Sequence, residues 1–141
     1  MVLEMKNIKK SFGSNNVLKD ISLQVDSGEV VSIIGPSGSG KSTLLRCATF
    51  LEQIDSGEIR YLDKAAVTTN AEGKAAYVSP SELHQMKQSY GLVFQQFNLF
   101  PHYSVLKNIM DAPLCVQKRP KEEVRAEAEE LLKKMDLYDK G

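Results

Sequence analysis

The sequence contains no tryptophan and only two cysteines and two histidines in 141 residues. Cys47 and Cys115 belong to no C-x-x-C pair and to no cysteine–histidine cluster of zinc type. The isolated His84 and His102 form no ligand set with them either. We therefore expect two reduced thiols, no disulfides and no protein-held zinc, as in a cytosolic protein.

An excess of charge and a long apolar run are also absent. The 18 basic residues balance the 18 acidic ones, so no general attraction to nucleic acid or to a membrane surface is predicted. No apolar run approaches the roughly 20 residues of a membrane-spanning helix, and Met1–Lys6 lacks the basic start and apolar core of a signal peptide. The length suits a single domain, and we expect it to be neither secreted nor membrane-spanning.

The clearest motif present is the stretch GPSGSGKST at residues 35–43, which fits the phosphate-binding pattern G-x-x-x-x-G-K-[ST]. Glycines at these positions allow the backbone to curl around an anion with its N–H groups pointing inward. Lys41 is suited to bridging the β- and γ-phosphates of a nucleotide, Ser42 to binding Mg²⁺, and Thr43 to reaching the α-phosphate. The predicted phosphate-binding residues are Ser37, Gly38, Ser39, Gly40, Lys41, Ser42 and Thr43. The alternative is a Gly/Ser-rich loop without a ligand.

The segments on either side of the loop are predicted to be a buried strand before it and a helix after it, as a phosphate-binding loop requires. Val30–Ile34 is a short β-branched run, which predicts a parallel strand buried on both faces. After the loop, Leu44, Leu45, Ala48 and Leu51 form a helical stripe, so the helix would direct its N-terminal dipole at the phosphates. Tyr90–Phe94 predicts a second buried parallel strand, whose carboxyl end would face the same crevice.

The other elements are predicted from periodicity and turn residues. Residues 2–8 and 17–25 alternate as strands and are expected to pair antiparallel, and residues 57–62 alternate as a third strand. Residues 63–77 have no clear period and are expected to form an exposed insertion. Helices are predicted from Ser79 to about Gln88, from Ser104 up to a stop at Pro113, and from Pro120 to about Met135.

Five segments in order along the chain resemble the ATP-binding subunits of ABC transporters: residues 11–13, 17–23, 35–43, 55–59 and 93–102. Residues 97–113 are most similar to the branch that imports polar amino acids. The resemblance implies an α/β fold, a P-loop NTPase core with an N-terminal antiparallel β subdomain and the start of a helical subdomain. Residues 1–141 would be one truncated nucleotide-binding domain. Within it, residues 1–95 would hold the antiparallel β subdomain and the P-loop core, and residues 96–141 the Q-loop and the beginning of the helical subdomain.

The resemblance also assigns roles to residues outside the loop. Phe12 would stack on adenine, although an ordinary core phenylalanine is the alternative, and Val17 would pack against the base or ribose. Gln95 would be the Q-loop glutamine that contacts Mg²⁺ or the attacking water. The predicted catalytic residues are thus Lys41 and Gln95, and the predicted Mg²⁺ ligands are Ser42 and Gln95.

The partners that the resemblance implies are the transmembrane permease subunits and a second copy of the ATPase subunit. The chain would then lie on the inner face of the cell membrane. Exposed apolar residues at Leu99–His102 would receive the coupling helices of the permease. Alternatively, this segment packs against the helix that begins near Ser104.

Three parts of the family pattern have no counterpart in these 141 residues: the LSGGQ signature, the Walker B strand ending in Asp with its catalytic Glu, and the switch histidine. We hypothesise that the sequence is an N-terminal part of the family domain. It would hold the phosphate cradle but would not hydrolyse ATP alone. Without the missing strands, Val30–Ile34 and Tyr90–Phe94 would have unpaired edges, which we expect self-association to cover. The alternatives are a non-hydrolysing nucleotide-binding module and another P-loop enzyme, such as a small-molecule kinase.

Overall fold

The computed structural model describes residues 1–140 and divides into two compact units, Met1–Leu92 and a second unit that begins at Val93. The first unit contains a five-stranded antiparallel sheet in the order β2-β1-β3-β4-β5. Its strands are β1 (Leu3–Phe12), β2 (Asn15–Val25), β3 (Ser56–Tyr61), β4 (Lys64–Thr69) and β5 (Ala75–Tyr77). The unit also contains the helices α1 (Lys41–Ala48) and α2 (Pro80–Lys87).

The β1–β2 hairpin confirms the predicted antiparallel pairing. Its register runs from Leu3 opposite Val25 to Phe12 opposite Asn15, and a turn containing Gly13 joins the strands. This turn places Phe12 at the end of β1, beside the start of β2. The hairpin thereby positions Phe12 and Val17 on neighbouring strands.

The prediction of an exposed insertion at residues 63–77 was wrong. Leu62 and Asp63 have φ angles of 48° and 64°, which close a tight β3–β4 hairpin, and β5 then pairs with β4. Ala66 and Val67 are fully buried in this part of the sheet. The small alanines of the segment concealed its strand character, because packing rather than intrinsic propensity places them in the sheet.

Helix α1 packs its buried side chains Leu44, Cys47 and Ala48 onto one face of the sheet. The core there is formed by Met5, Ile8, Ile59 and Val67, which have no exposed surface. Burial raises the pKa of the Cys47 thiol to about 11, so this thiol stays protonated near neutral pH. The predicted stripe is only partly confirmed, because the helix ends at Ala48 and Leu45 and Leu51 are exposed.

Neither predicted parallel strand is formed. Val30–Ile34 has no strand assignment, and Val30 and Ile34 are 91% and 92% exposed. Tyr90–Phe94 has none either; Tyr90 instead stacks on Tyr61 at 5.3 Å and donates a hydrogen bond to the Thr49 carbonyl. A parallel strand needs a neighbour on which to satisfy its backbone groups. Among residues 1–140 no strand pairs with either segment.

Helix α2 begins as predicted. Ser79 caps it, and Ser79 and Glu82 form a reciprocal capping box with Pro80 at the first helical position.

The second unit contains helices α3 (Val105–Cys115) and α4 (Lys121–Lys134) and a short 3₁₀ helix at Tyr138–Lys140. Ser104 caps α3 as predicted, and Met110 packs with Val124 and Ala128 of α4. The predicted stop at Pro113 was wrong, since α3 continues to Cys115. Proline so near the helix end removes a single backbone donor, which the last turn tolerates. None of the helices in the described part of the chain is long and apolar enough to cross a membrane.

Candidate functional site

The loop at residues 35–43 leads directly into α1. Gly40 is the N-cap of that helix, with no side-chain cap and no acidic residue in the first turn. The first amides of the helix therefore point out of its positive end without a carboxylate to neutralise them. This is the arrangement that attracts an anion.

Gly40 is required by both its conformation and its surroundings. Its φ of 93° is one that side-chain-bearing residues rarely adopt. A Cβ at this position would lie 3.1 Å from Leu18 Cδ2 and 3.2 Å from both Val17 Cγ1 and the Val17 carbonyl oxygen. The loop thus lies directly against the start of β2, which brings Val17 to the site.

The Lys41 side chain folds back over the loop. Its Nζ donates hydrogen bonds to the carbonyl oxygens of Gly35 at 2.8 Å and Pro36 at 2.6 Å, and it lies 3.4 Å from Ser39 Oγ. Among the described residues, the positive charge is thereby held at the loop by neutral acceptors. A phosphate that approached could replace these acceptors with a stronger, charge-assisted partner.

A cavity of about 320 Å³ collects most of the predicted nucleotide-binding residues. It is lined by Phe12, Val17, Ser37, Gly38, Gly40, Lys41, Ser42 and Thr43. Ser39 is absent from this lining; its Oγ lies 3.4 Å from Lys41 Nζ, and together with Lys41 it lines a neighbouring cavity. Phe12 is 48% exposed, which excludes the alternative of a core phenylalanine.

The donors of this cavity fit a nucleoside triphosphate. Backbone amides and an ammonium suit phosphate oxygens, and the Ser42 hydroxyl is a hard oxygen ligand of the kind that Mg²⁺ accepts. The aromatic ring of Phe12 in the same lining suits a base. In residues 1–140 no cluster of three or more His, Cys, Asp or Glu side chains could hold a metal. Beside the Ser42 hydroxyl, a Mg²⁺ ion here would take its ligands from phosphate oxygens and water.

Gln95 belongs to the second unit, where it occupies a turn closed by the hydrogen bond from the Phe97 amide to the Phe94 carbonyl at 3.0 Å. Its side chain is exposed. Its approach to the phosphate loop stays a prediction.

The segment Leu99–His102 in the second unit is tied to α3 by Asn108. The Asn108 side chain accepts from the Phe100 amide at 2.9 Å and donates to the Phe100 carbonyl at 3.2 Å. Leu99 and Phe100 nevertheless stay 67% and 48% exposed, beside a cavity of about 300 Å³. The segment is therefore anchored to α3 through its backbone while it presents apolar side chains to the outside.

Sequence reasoning missed a charged group beside Phe12. The Lys10 Nζ lies 4.8 Å from the centre of the Phe12 ring and 2.9 Å from Glu52 Oε1. Residues two apart on a strand share a face, so the Lys10–Phe12 spacing on β1 was a usable signal.

The family model described as "ABC transporter" matches residues 18–141, which is most of the chain. The chain belongs to the ABC transporter family. Phe12 and Val17 precede the matched range, and the loop at residues 35–43 lies within it.

Curated relatives match the chain from end to end. It is 44% identical over 139 residues to the L-cystine import ATP-binding protein TcyC of Bacillus subtilis, covering 99% of this chain and 54% of the relative. It is 43% identical over 140 residues to the glutamine transport ATP-binding protein GlnQ of the same organism, covering 99% and 54%. The chain thus spans about half the length of the curated relatives it matches.

Solved ABC cassettes have the same fold. The chain superimposes on the dimeric structure of MJ0796, a bacterial ABC transporter cassette, with a TM-score of 0.73 and 35% identity, covering 93% of this chain and 56% of that one. For cbiO1 from Clostridium perfringens, part of the ABC transporter complex cbiONQ, the TM-score is 0.77 at 25% identity, with 99% and 52% covered. These matches confirm the predicted family and fold class.

Proposed function

We propose that this chain binds ATP with Mg²⁺, as the ATP-binding part of an ABC transporter subunit. One observation carries the proposal: a single cavity is lined by an exposed aromatic ring, the glycine-rich loop, a lysine and a hydroxyl. Each of these groups suits a different part of Mg-ATP.

Each residue has a specific task in this proposal. The amides of residues 37–43 hold the phosphates at the positive end of α1. Lys41 would exchange its carbonyl acceptors for the β- and γ-phosphates, Ser42 would hold Mg²⁺, and Thr43 would contact the α-phosphate. Phe12 stacks on the base while Val17 packs beside it. When bound, Mg²⁺ neutralises charge that develops on the phosphates.

The subunit to which this chain corresponds is proposed to hydrolyse ATP and to drive import of polar amino acids. The names of relatives that transport L-cystine and glutamine support this substrate class. Its partners would be permease subunits and a second copy of the ATPase subunit, at the cytoplasmic face of the membrane. Gln95 would contact Mg²⁺ or the attacking water there.

The 141 residues by themselves are proposed to bind ATP without turning it over. They contain no apolar strand ending in Asp-Glu, no LSGGQ sequence and no switch histidine. Lys41 and Gln95 alone would leave the attacking water without a carboxylate to orient it.

The test is to measure Mg-ATP binding by titration calorimetry and phosphate release by the same chain. Lys41→Ala should weaken binding at least about tenfold, because it removes charge-assisted hydrogen bonds to the phosphates. Lys19→Ala is the matched control, since Lys19 is exposed on β2 and lies outside the cavity.

Equal affinity of the Lys41→Ala variant and the unmodified chain would overturn the assignment of the loop. Phosphate release that Lys41→Ala abolishes would show that a catalytic carboxylate lies within these residues, and the binding-only proposal would be wrong.

A further inference from the structure

Lys10 is an almost enclosed lysine beside the candidate site. It lies on β1 with 11% of its side chain exposed. Its Nζ is 2.9 Å from Glu52 Oε1, 4.0 Å from Asp55 Oδ1 and 4.8 Å from the centre of the Phe12 ring. A lysine enclosed in this way is uncommon unless it is paired, and here its partners include an aromatic face.

The groups that hold Lys10 are themselves fixed to β1. The Asp55 amide donates to the Lys9 carbonyl at 2.8 Å, and Asp55 Oδ2 accepts from the Ser11 amide at 2.7 Å. Asp55 is therefore hydrogen-bonded to the β1 backbone on both sides of Lys10. The hydrogen bond from Lys10 also lowers the pKa of Glu52, so that carboxylate stays charged at neutral pH.

The Phe12 ring lines the cavity of the phosphate loop, whereas Lys10 does not. The ammonium is thus placed against the ring without being part of the cavity surface. We propose that Lys10 is a positioning residue that holds Phe12 from one face, so that the other face is presented to the purine base of the nucleotide. This inference rests on the proposed function and adds a residue that acts only through the ring.

Two physical effects give Lys10 this role. The attraction between an ammonium and the face of an aromatic ring favours one ring orientation. A half-exposed phenylalanine without that contact would sample other rotamers and would lose that freedom when a base stacks on it, which weakens binding. The cation also draws ring electron density away from the cavity, so the free face repels the electrons of a base less.

If Lys10 acts through the Phe12 ring, a change at Lys10 should affect binding of the base and not binding of the phosphates. ATP uses both the ring and the loop, whereas inorganic tripolyphosphate uses the loop alone. A change at Lys10 should therefore alter the ratio of the two dissociation constants and leave tripolyphosphate binding unchanged. Because unfolded molecules bind neither ligand, a loss of folded protein cancels in this ratio.

The experiment measures dissociation constants of Mg-ATP and Mg-tripolyphosphate by titration calorimetry, with the full chain and five variants. Lys10→Met keeps the length of the side chain without its charge and should weaken ATP binding about two- to fivefold, with tripolyphosphate unaffected. Lys10→Arg keeps a cation for the ring, so the ratio of the two dissociation constants should equal that of the unmodified chain. Lys9→Met is the matched control, since Lys9 is the exposed neighbour on β1.

The remaining two variants are Phe12→Leu alone and Phe12→Leu combined with Lys10→Met. If Lys10 acts through the ring, its loss should have no further effect on the ratio once the ring is gone.

Three results would overturn the inference: an unchanged ratio in Lys10→Met, an equal loss of affinity for both ligands, or an undiminished Lys10→Met effect in the Phe12→Leu background. Failure of the unmodified chain to bind either ligand would instead overturn the proposed function itself. Normal tripolyphosphate binding with an unchanged ratio would leave the loop assignment intact and remove only the role of Lys10.

Discussion

Two glycines of the phosphate loop with similar backbone conformations have different surroundings. Gly38 and Gly40 have φ angles of 79° and 93°. A Cβ at Gly38 would meet nothing within 4 Å, whereas one at Gly40 would press against Val17 and Leu18. The pair separates the cost of backbone conformation from the cost of steric contact.

We predict that Gly38→Ala lowers the free energy of unfolding by about 1–2 kcal/mol, the cost of a left-handed conformation for a residue with a side chain. Gly40→Ala should lower the free energy of unfolding more than Gly38→Ala does, because the loop must also move away from β2. It should also weaken ATP binding more than Gly38→Ala does. Urea unfolding and calorimetric titration of both variants measure the two effects. Equal destabilisation by the two substitutions would contradict the close packing of the loop on β2.

Glu4 is a nearly buried carboxylate whose pKa lies below its usual value. The largest cause is the hydrogen bond from Lys6 at 2.9 Å, with further contributions from Gln24 at 3.1 Å and from Arg60. A carboxyl group with a lowered folded-state pKa stabilises the fold above its unfolded-state pKa of about 4.3. That stability is lost as the pH falls through the lower, folded-state value.

We therefore expect Glu4→Gln to lower stability at pH 7 and to flatten the decline in stability between pH 7 and acid conditions. Urea midpoints measured across this pH range test both parts. Glu72→Gln is the control, since this glutamate lies in an exposed turn. A pH profile with the same slope as the unmodified chain would contradict a stabilising role for ionised Glu4.

At the scale of elements, the structure reverses two predictions made from the sequence. Val30 was expected in a buried strand and is 91% exposed, whereas Val67 was expected in an exposed insertion and is fully buried. The same substitution should therefore destabilise the fold at position 67 and have little effect at position 30. Val→Thr keeps the shape of the side chain and replaces a methyl group by a hydroxyl.

We expect Val67→Thr to lower the free energy of unfolding by about 1–3 kcal/mol, because the hydroxyl enters an apolar core. Val30→Thr should change it by less than about 0.5 kcal/mol, as surface substitutions usually do. Thermal or urea unfolding of both variants decides the matter. A larger cost at position 30 would mean that Val30–Ile34 is buried in solution.

The elements that sequence reasoning predicted correctly are those whose signals are local. The hairpin of β1 and β2 alternates along its own length, and α2 and α3 begin at the serine caps Ser79 and Ser104. The strand predicted at Val30–Ile34 needed partners on both sides, and a composition typical of such a strand cannot supply them. The prediction for the β4–β5 segment was wrong for the opposite reason. Its pairing with neighbouring strands, and not its own sequence pattern, places this segment in the sheet.

For the molecule as a whole, the residues that line the candidate cavity were more predictable than the fold around them. The loop at residues 35–43 carries its chemistry in its own residues, and the structure brings Phe12 and Val17 to it from β1 and β2. Those two contacts depend on the tertiary fold and were inferred only by resemblance to a family. The Lys10–Phe12 spacing could have indicated their contact, but the enclosure of Lys10 by Glu52 and Asp55, more than 40 positions further along the chain, could not be read from the sequence.

The exposed apolar segment at residues 30–34 bears on the behaviour of the whole chain in solution. Val30 and Ile34 expose over nine-tenths of their surface, and residues 30–34 join no strand of the sheet. Contiguous apolar surface with unpaired backbone groups favours association with another chain. We predict that the chain self-associates and that the double substitution Val30→Ser with Ile34→Ser lowers the average mass measured by light scattering.

The control is Leu62→Ser, which removes an exposed leucine from the β3–β4 turn and should leave the mass unchanged. The measurement is made over a range of protein concentrations, because association through this segment requires the mass to rise with concentration. A monodisperse monomer at every concentration would contradict self-association. An equal fall in mass for the Leu62→Ser variant would mean that self-association depends on general surface hydrophobicity and not on residues 30–34.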